Sequence, residues 1–164
     1  MLEYQKEEWK SKVIEQDKML RYPSFGRSDA LILGLKIAEI AERKYKSGVV
    51  SRIYYDGTLV FSYSMDGCGL KNEWWMGAKL NTSLLHRKSS MQALLDLSQD
   101  DRTNNIELAE TSSYLYCGGC IPLKLTDGTI VGYVVVSALK HEEDHQIIID
   151  AISEILGVDV PSLI

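Results

Sequence analysis

The chain has 164 residues, of which 45% are hydrophobic and 25% carry a charge. This length and composition predict one packed globular domain spanning residues 1–164, and they exclude a disordered or fibrous protein. The formal net charge is -5, and the basic residues are dispersed along the sequence. A nucleic-acid partner, which would require a basic surface, is therefore not expected.

No apolar run approaches the roughly 18 residues that a membrane-spanning helix needs, so neither membrane insertion nor secretion is expected. The cysteines, Cys68, Cys117 and Cys120, are odd in number and sparse. Small secreted domains stabilised by disulfides have an even and dense set instead. Reduced thiols and a cytoplasmic location fit this sequence better.

The first predicted element is a peripheral N-terminal helix within residues 1–22. From Leu2 to Leu20 the sequence is charged and helix-prone, with Trp9 and Val13 contributing to a narrow apolar stripe. Tyr22-Pro23 ends this helix, because the residue before a proline disfavours the helical conformation.

A second helix is predicted over Asp29–Lys46, with Ser28 as N-cap and Gly48 as the stop. Its apolar face is predicted from four residues at near-helical spacing: Leu31, Leu35, Ala38 and Tyr45. Gly34 lies inside this helix at an intrinsic cost of about 1 kcal/mol relative to alanine, which favours a close approach to a sheet at that point.

Two strands, Val49–Tyr55 and Thr58–Ser64, follow and are rich in β-branched and aromatic residues. Asp56-Gly57 between them is typical of a two-residue hairpin turn. Helices are predicted next over Asn72–Lys88 and Met91–Ser98, with Ser89 and Ser90 between them.

The polar stretch Gln99–Asn105 reads as a surface loop. Three strands are predicted after it, over Tyr114–Cys117, Ile121–Leu125 and Thr129–Ser137, and Asp127-Gly128 joins the last two as a hairpin. A closing helix over Glu142–Leu156 has acidic residues in its first turn, where they favour the helix dipole.

Hairpins take the place of the βαβ crossovers that a parallel sheet requires. The sequence therefore predicts an α+β fold in a single domain, with an antiparallel sheet of about five strands flanked by helices.

Cys117 and Cys120 are spaced as in a redox-active dithiol or half of a zinc site, and His141 and His145 are the histidines that would complete it. The motif lies between predicted strands rather than at a helix N-terminus, and the distance to His141 is too long for a small zinc finger. The favoured interpretation is a glycine turn flanked by two small residues.

A catalytic set drawn from Ser89, Ser90 or Ser137 with His86 or His145 and Asp144 has no recognised spacing, so an enzyme is the least supported class. Trp74 and Trp75, on one helix with Lys79, form either a ligand-binding wall or a core and subunit interface. The second alternative is favoured.

Several short motifs together resemble a known family. They are Ala30-Leu31-x-Leu33-Gly34, Trp75-x-x-x-Lys79, Ser89-Ser90, Gly118-Gly119-x-x-Pro122, Val136-Ser137 and Asp144-His145. In this order and spacing they are similar to the haem-degrading HbpS/GlcG-like superfamily, which includes PduO C-terminal-like and DUF336-type domains, and most closely to its UPF0303 branch. The resemblance runs from about Phe25 to Leu156.

The resemblance implies a profilin-like or PAS-like antiparallel sheet with flanking helices, assembled as a homo-oligomer that is a dimer or a ring of dimers. It also implies a small-ligand site at the matching polar positions, Lys79, Ser89, Ser90, Gly118, Gly119, Ser137, Asp144 and His145. Some related proteins bind haem. Here haem would be bound without covalent links, because the chain lacks a Cys-x-x-Cys-His motif. The possible axial histidines are His86, His141 and His145.

Two functions follow from these observations. The favoured hypothesis is an oligomeric module that binds a small ligand; the ligand and any cofactor are not identified by the sequence, and haem or a related tetrapyrrole is one candidate. The alternative is a protein-interaction scaffold without catalysis, indicated by the N-terminal helix and the tryptophan pair.

Overall fold

The structure is a computed structural model that describes residues 3–97 and 113–164. Within these ranges the helices are α1 Glu3–Met19, α2 Arg27–Ile40, α3 Leu70–His86, α4 Ser90–Asp96 and α5 His141–Leu156, and a π-helical turn, Ala41–Tyr45, extends α2. The strands are β1 Val50–Tyr55, β2 Thr58–Ser64, β3 Cys120–Lys124 and β4 Ile130–Ser137. The loop predicted over Gln99–Asn105 and the predicted helix end at Ser98 lie outside the described residues. No helix of the described ranges is long and apolar enough to cross a bilayer.

The strands form one antiparallel sheet in the order β2-β1-β4-β3, which confirms the predicted α+β class. Both predicted hairpins are present. The turn between β1 and β2 has positive φ at Asp56 and Gly57, 50° and 70°, as a type I′ turn requires. The turn between β3 and β4 includes Gly128, whose φ is 88°.

The fifth predicted strand, Tyr114–Cys117, is wrong: the sheet of the described residues has four strands, and this segment lies outside it. Leu115 N–H lies 3.2 Å from Ala78 O and 2.9 Å from Thr82 Oγ1, both on α3. Thr82 Oγ1 in turn lies 2.9 Å from Leu115 O. The backbone of this β-prone segment is therefore satisfied by a helix rather than by a neighbouring strand.

Helices cover both faces of the sheet. One face carries α2 and α5, and its core contains Ile53, Val134, Val136 and Ile148 among other apolar residues. The other face carries α3, and Val50, Met76, Cys120 and Val135 are buried there. The alternation of Val134, Val135 and Val136 between the two faces follows from the two-residue period of a strand.

The predicted apolar face of α2 is wrong, because Leu31 and Leu35 are 53% and 57% exposed. The buried side is formed instead by Ala30, Leu33, Gly34, Ile37 and Ile40. This second stripe, at i, i+3, i+4, i+7 and i+10, is continuous along one side of the helix and packs into the core against the sheet.

The ends of α2 also differ from the prediction. Gly26 is the N-cap in place of Ser28, and its N–H donates to Asp29 Oδ2 at 2.8 Å. Lys46, with φ 54°, ends the π-helical turn before Gly48 is reached. The close approach predicted at Gly34 is present, because a Cβ there would lie 2.3 Å from the Phe61 ring on β2.

Candidate functional site

A buried ion pair joins α3 to the start of α5. Lys79 Nζ lies 2.6 Å from Asp144 Oδ2 and 3.1 Å from Val136 O, the latter on β4. Lys79 and Asp144 are each only 2% exposed. Burial raises the pKa of Asp144 to about 6, against the opposing influence of the Lys79 ammonium. The carboxylate is therefore held close to its protonation point in neutral solution.

The link between β4 and α5 positions the Asp144 carboxylate. Leu139 N–H donates to Asp144 Oδ1 at 3.0 Å, and the Ala138 N–H also bonds to this carboxylate. Ala138 has φ 131°, a conformation that is uncommon and strained for a residue with a side chain. The carboxylate thus has one ammonium and two backbone amides as partners, which is the arrangement of an anion-binding site.

Gly118 and Gly119 bring the chain close to this pair. A Cβ on Gly119, whose φ is 118°, would lie 2.7 Å from Lys79 Nζ and 2.6 Å from Val136 O. A Cβ on Gly118 would lie 2.1 Å from His141 O. Any larger residue at either position would displace the backbone or the ammonium, so the two glycines are required by close packing.

A cleft of about 450 Å³ opens beside the ion pair. Its lining comes from α3, from the segment before β3, from the end of β4 with the link after it, and from the start of α5: Lys71, Asn72, Trp75, Lys79, Cys117, Ser137, Ala138, Leu139, His141 and Asp144. Asn72 Nδ2 lies 3.5 Å from Ser137 Oγ across the cleft. One aromatic wall, several polar groups and a buried cation are the features of a small-molecule site.

Trp75 and Trp74 differ in their surroundings. Trp75 lines the cleft, whereas Trp74 is 47% exposed, and their rings pack edge to face at 5.4 Å. The ligand-wall alternative raised for this pair therefore fits the position of Trp75. No sequence pattern selects Lys71, Asn72 or the backbone of Leu139 for the cleft.

His141 is the histidine that lines the cleft. Gly118 N–H lies 3.4 Å from its Nδ1, so Nδ1 accepts and the ring proton belongs on Nε2. Burial lowers the pKa of His141, which keeps the ring neutral. An axial haem ligand needs an unprotonated Nε2 and usually donates from the other ring nitrogen. The surroundings of His141 favour the opposite tautomer, so this ring does not fit iron ligation.

His145 faces away from the cleft, toward α1. Its Nε2 lies 2.9 Å from Gln16 Oε1, and Gln16 Nε2 donates to Pro161 O at 2.7 Å. Because the amide nitrogen is used by Pro161, the amide oxygen faces His145 and Nε2 is the donor. Burial lowers the pKa of His145 to about 3, so the ring is neutral over the physiological range.

Ser89 and Ser90 also lie apart from the cleft. Ser89 is the N-cap of α4 and accepts from Gln92 N–H at 3.1 Å. Ser90 Oγ accepts from Cys120 N–H at 3.0 Å and so fixes the start of β3. The eight predicted positions therefore divide. Lys79, Ser137 and Asp144 line the cleft and the two glycines pack beside it, whereas Ser89, Ser90 and His145 serve neighbouring contacts.

The cysteine pair lacks the lowered pKa of a reactive thiol. Burial raises the pKa of Cys117 to about 11 and that of Cys120 to about 12, so both are thiols at neutral pH. No group of three histidine, cysteine or acidic side chains in the described ranges is arranged to hold a metal ion. The zinc alternative considered for these cysteines is not supported.

Comparison with known proteins gives consistent matches. A family model described as Haem degrading protein HbpS-like matches residues 25–153. The chain is 30% identical over 154 residues to a UPF0303 protein of Brucella anthropi, covering 93% of this chain and 90% of that relative. A UPF0303 protein of Brucella melitensis is 29% identical over 152 residues, covering 92% and 89%.

Solved structures share the fold. The crystal structure of Ybr137w superposes with a TM-score of 0.75 at 21% identity and covers 90% of this chain and 87% of that one. The PduOC:Heme complex has a TM-score of 0.66 at 21% identity, covering 85% and 98%. For HbpS the TM-score is 0.61 at 16% identity, covering 84% and 93%.

Proposed function

Because the chain belongs to the HbpS-like family, as its motifs indicated, we propose that it is a small-ligand-binding module whose cleft holds a carboxylate of the ligand at Lys79. The single observation that carries this proposal is the hydrogen bonding of the Lys79 ammonium. An ammonium has three protons to donate. Asp144 and Val136 accept two of them.

Within the described residues no further acceptor lies at hydrogen-bond distance from the Lys79 ammonium, so its third proton is available to a ligand. Gly119 packs against the ammonium without a side chain, and its carbonyl already accepts from Val136 N–H at 2.7 Å. The Lys79 side chain reaches the cleft wall while only 2% of it is exposed to solvent. A buried cation with an unused proton favours an anionic or strongly accepting group, because a buried charge is stabilised by complete hydrogen bonding.

The remaining lining indicates a flat ligand. Trp75 presents an aromatic ring, Asn72 and Ser137 supply polar groups, and the cleft volume lies within the usual range for small-molecule sites. A tetrapyrrole with acidic side chains has this chemistry, and a relative in fold is described as a haem complex. In this proposal the cleft recognises a carboxylate edge of the tetrapyrrole, and the iron has no histidine ligand there.

The test is a titration with haemin and, separately, with iron-free protoporphyrin IX, followed through quenching of tryptophan fluorescence. Both probes are expected to bind with similar affinity, because the carboxylates and not the iron are recognised. Lys79→Met is expected to weaken binding at least about tenfold, the usual effect of losing one charge-assisted hydrogen bond. The control is Lys124→Met, since Lys124 pairs with Asp17 away from the cleft.

A second variant covers the event that Lys79→Met does not fold. Ser137→Leu places a longer side chain at the cleft wall while it leaves the ion pair intact, and it should also weaken binding. If neither haemin nor protoporphyrin IX binds, the proposal is refuted. Binding of haemin alone would show that iron ligation, rather than carboxylate recognition, holds the ligand.

We further propose that the chain forms a homo-oligomer through α2 and β2. This assembly favours the alternative function, a protein-interaction scaffold. Exposed apolar side chains cluster on these two elements: Leu31, Ile32, Leu35, Leu59 and Tyr63. β2 is also an edge strand of the sheet, with backbone groups free to pair. An apolar patch next to an open edge favours association.

Light scattering after size exclusion tests this assembly. Leu35→Glu should lower the molar mass to that of the monomer, because it places a charge in the proposed interface. Leu85→Glu on α3 is the matched control, since Leu85 is 59% exposed and Leu35 is 57% exposed. A wild-type monomer, or equal dissociation by both variants, would contradict the proposed interface.

A further inference from the structure

We propose that the cleft binds its acidic ligand together with one proton and that Asp144 receives this proton. The inference rests on the proposed carboxylate site and adds the ionisation that accompanies binding. Asp144 already accepts a hydrogen bond from the Lys79 ammonium, and its protonation makes the affinity for the ligand depend on pH.

The geometry places two carboxylates on one ammonium when a ligand is bound. Asp144 Oδ2 lies 2.6 Å from Lys79 Nζ, and the ligand carboxylate would take the remaining proton of the same nitrogen. Both acids would then lie within a few ångströms of each other beside the buried Lys79 ammonium. Two carboxylates sharing a site do not both stay ionised, because their repulsion raises the pKa of one of them strongly.

The cationic groups around Asp144 do not offset this second negative charge. Lys79 is the cation in direct contact, and Lys71 lies exposed at the rim of the cleft, where water screens it. His141 on α5 is kept neutral, since burial lowers its pKa, and its Nε2 faces Glu142 Oε2 at 3.5 Å. One ammonium would therefore face two carboxylates.

Three further titratable groups that interact with Asp144 are neutral. Burial raises the pKa of Cys68, of Cys117 and of Tyr45, and the Asp144 charge raises each of them further. None of these groups carries a charge at pH 7. A proton on Asp144 is thus the change that restores electrical balance around Lys79.

Asp144 is suited to accept the proton. Burial, opposed by the Lys79 ammonium, raises its pKa to about 6 in the absence of a ligand, so a further rise above 7 makes it protonated at pH 7. The balance is simple: the ligand carboxylate and one proton from solution enter, and Asp144 changes from carboxylate to carboxylic acid. Between the pKa of Asp144 in the free protein and its higher pKa in the complex, the affinity should fall by about tenfold per pH unit.

The experiment is calorimetric titration with benzoate, a flat monocarboxylate, at pH 7.5 in MOPS and in Tris, two buffers with different ionisation enthalpies. The difference in observed heat gives the number of protons taken up at this pH, which should lie clearly above zero and below one. Heat that does not depend on the buffer would overturn the inference and leave the proposed binding function standing. No heat in either buffer, together with no quenching of tryptophan fluorescence, would refute both.

Variants assign the proton. Asp144→Asn should abolish the buffer dependence, whereas His141→Gln should retain it even where its affinity changes. Because Asp144→Asn leaves Lys79 without its partner and can fail to fold, the wild type provides an independent measurement. Carboxyl ¹³C NMR should show the Asp144 titration midpoint moving to higher pH at saturating benzoate, and an unchanged midpoint would overturn the assignment.

Discussion

Asp144 and His145 are neighbours in sequence and are almost fully buried, yet the protein treats their charges in opposite ways. Asp144 faces the cleft and pairs with the Lys79 ammonium. His145 faces α1, meets the uncharged amide of Gln16, and has its pKa lowered to about 3. The buried Asp144 carboxylate is stabilised by the opposite charge of Lys79, whereas the buried His145 ring is stabilised by staying neutral. The ionised side is the one beside the cleft.

Lys79→Met should have the largest effect on this comparison. It leaves the Asp144 carboxylate buried without a cation, so the free energy of unfolding should fall by about 3–5 kcal/mol at pH 7.5. The loss should be smaller at pH 5, because Asp144 can then be protonated. Urea unfolding at both pH values measures it, with the rim variant Lys71→Met expected within about 0.5 kcal/mol of wild type. A loss below about 1 kcal/mol at pH 7.5 would show that the Lys79–Asp144 ion pair does not stabilise the fold.

The second largest expected effect is the loss of folding stability in acid that the buried His145 ring causes. Its folded pKa of about 3 lies below the ordinary value of 6.5, so the unfolded chain binds the proton first. Stability from His145 is complete above pH 6.5 and is lost at about 1.4 kcal/mol per pH unit as the pH falls toward 3. Asp144 contributes with the opposite sign between pH 6 and 3.8, since its folded pKa is raised.

Comparison of variants separates the two contributions to acid stability. His145→Gln should remove the His145 part of the slope, measured by urea unfolding between pH 6.5 and 4.5. His86→Gln is the control, because His86 is exposed and paired with Tyr116 OH. Equal slopes for wild type and His145→Gln would mean that the buried ring titrates normally.

Gln16→Ala should have the smallest effect of the three. The change leaves His145 Nε2 and Pro161 O without their amide partner, and unmet buried polar groups cost about 1–3 kcal/mol. Lys12→Ala on the same helix is the control, since it removes a solvent-facing ion pair with Glu8 and should cost about 0.5 kcal/mol or less. Thermal unfolding followed by circular dichroism distinguishes the two variants. Equal losses of stability would show that the Gln16 amide contributes no more than a surface ion pair.

Much of the fold could be predicted from local signals. Asp56-Gly57 predicted the first hairpin because few residues other than glycine adopt the positive φ that its turn needs. The predicted and observed helices around α1, α3 and α5 begin and end within a few residues of each other. The strand predicted over Tyr114–Cys117 is wrong because β-propensity describes how well a residue fits a pleated, half-buried surface. Here α3 provides the hydrogen-bond partners instead.

The candidate site was predictable only in part. The motifs selected Lys79 and Asp144, but 65 residues separate them and no spacing rule indicates that they pair. Asp144 and His145 were selected together as one motif, although consecutive helical residues point in different directions. Gln16 was missed because its role depends on a contact with a residue 129 positions away.

The bridge from Gln16 to Pro161 joins residues 145 positions apart. Contacts of such long sequence separation carry a large loop-closure entropy and form late in folding. During synthesis α1 leaves the ribosome early, yet it can complete this contact only after Pro161 has emerged. We therefore expect α1 to be the last helix to become protected, with the His145 ring exposed to solvent until the end of the folding reaction.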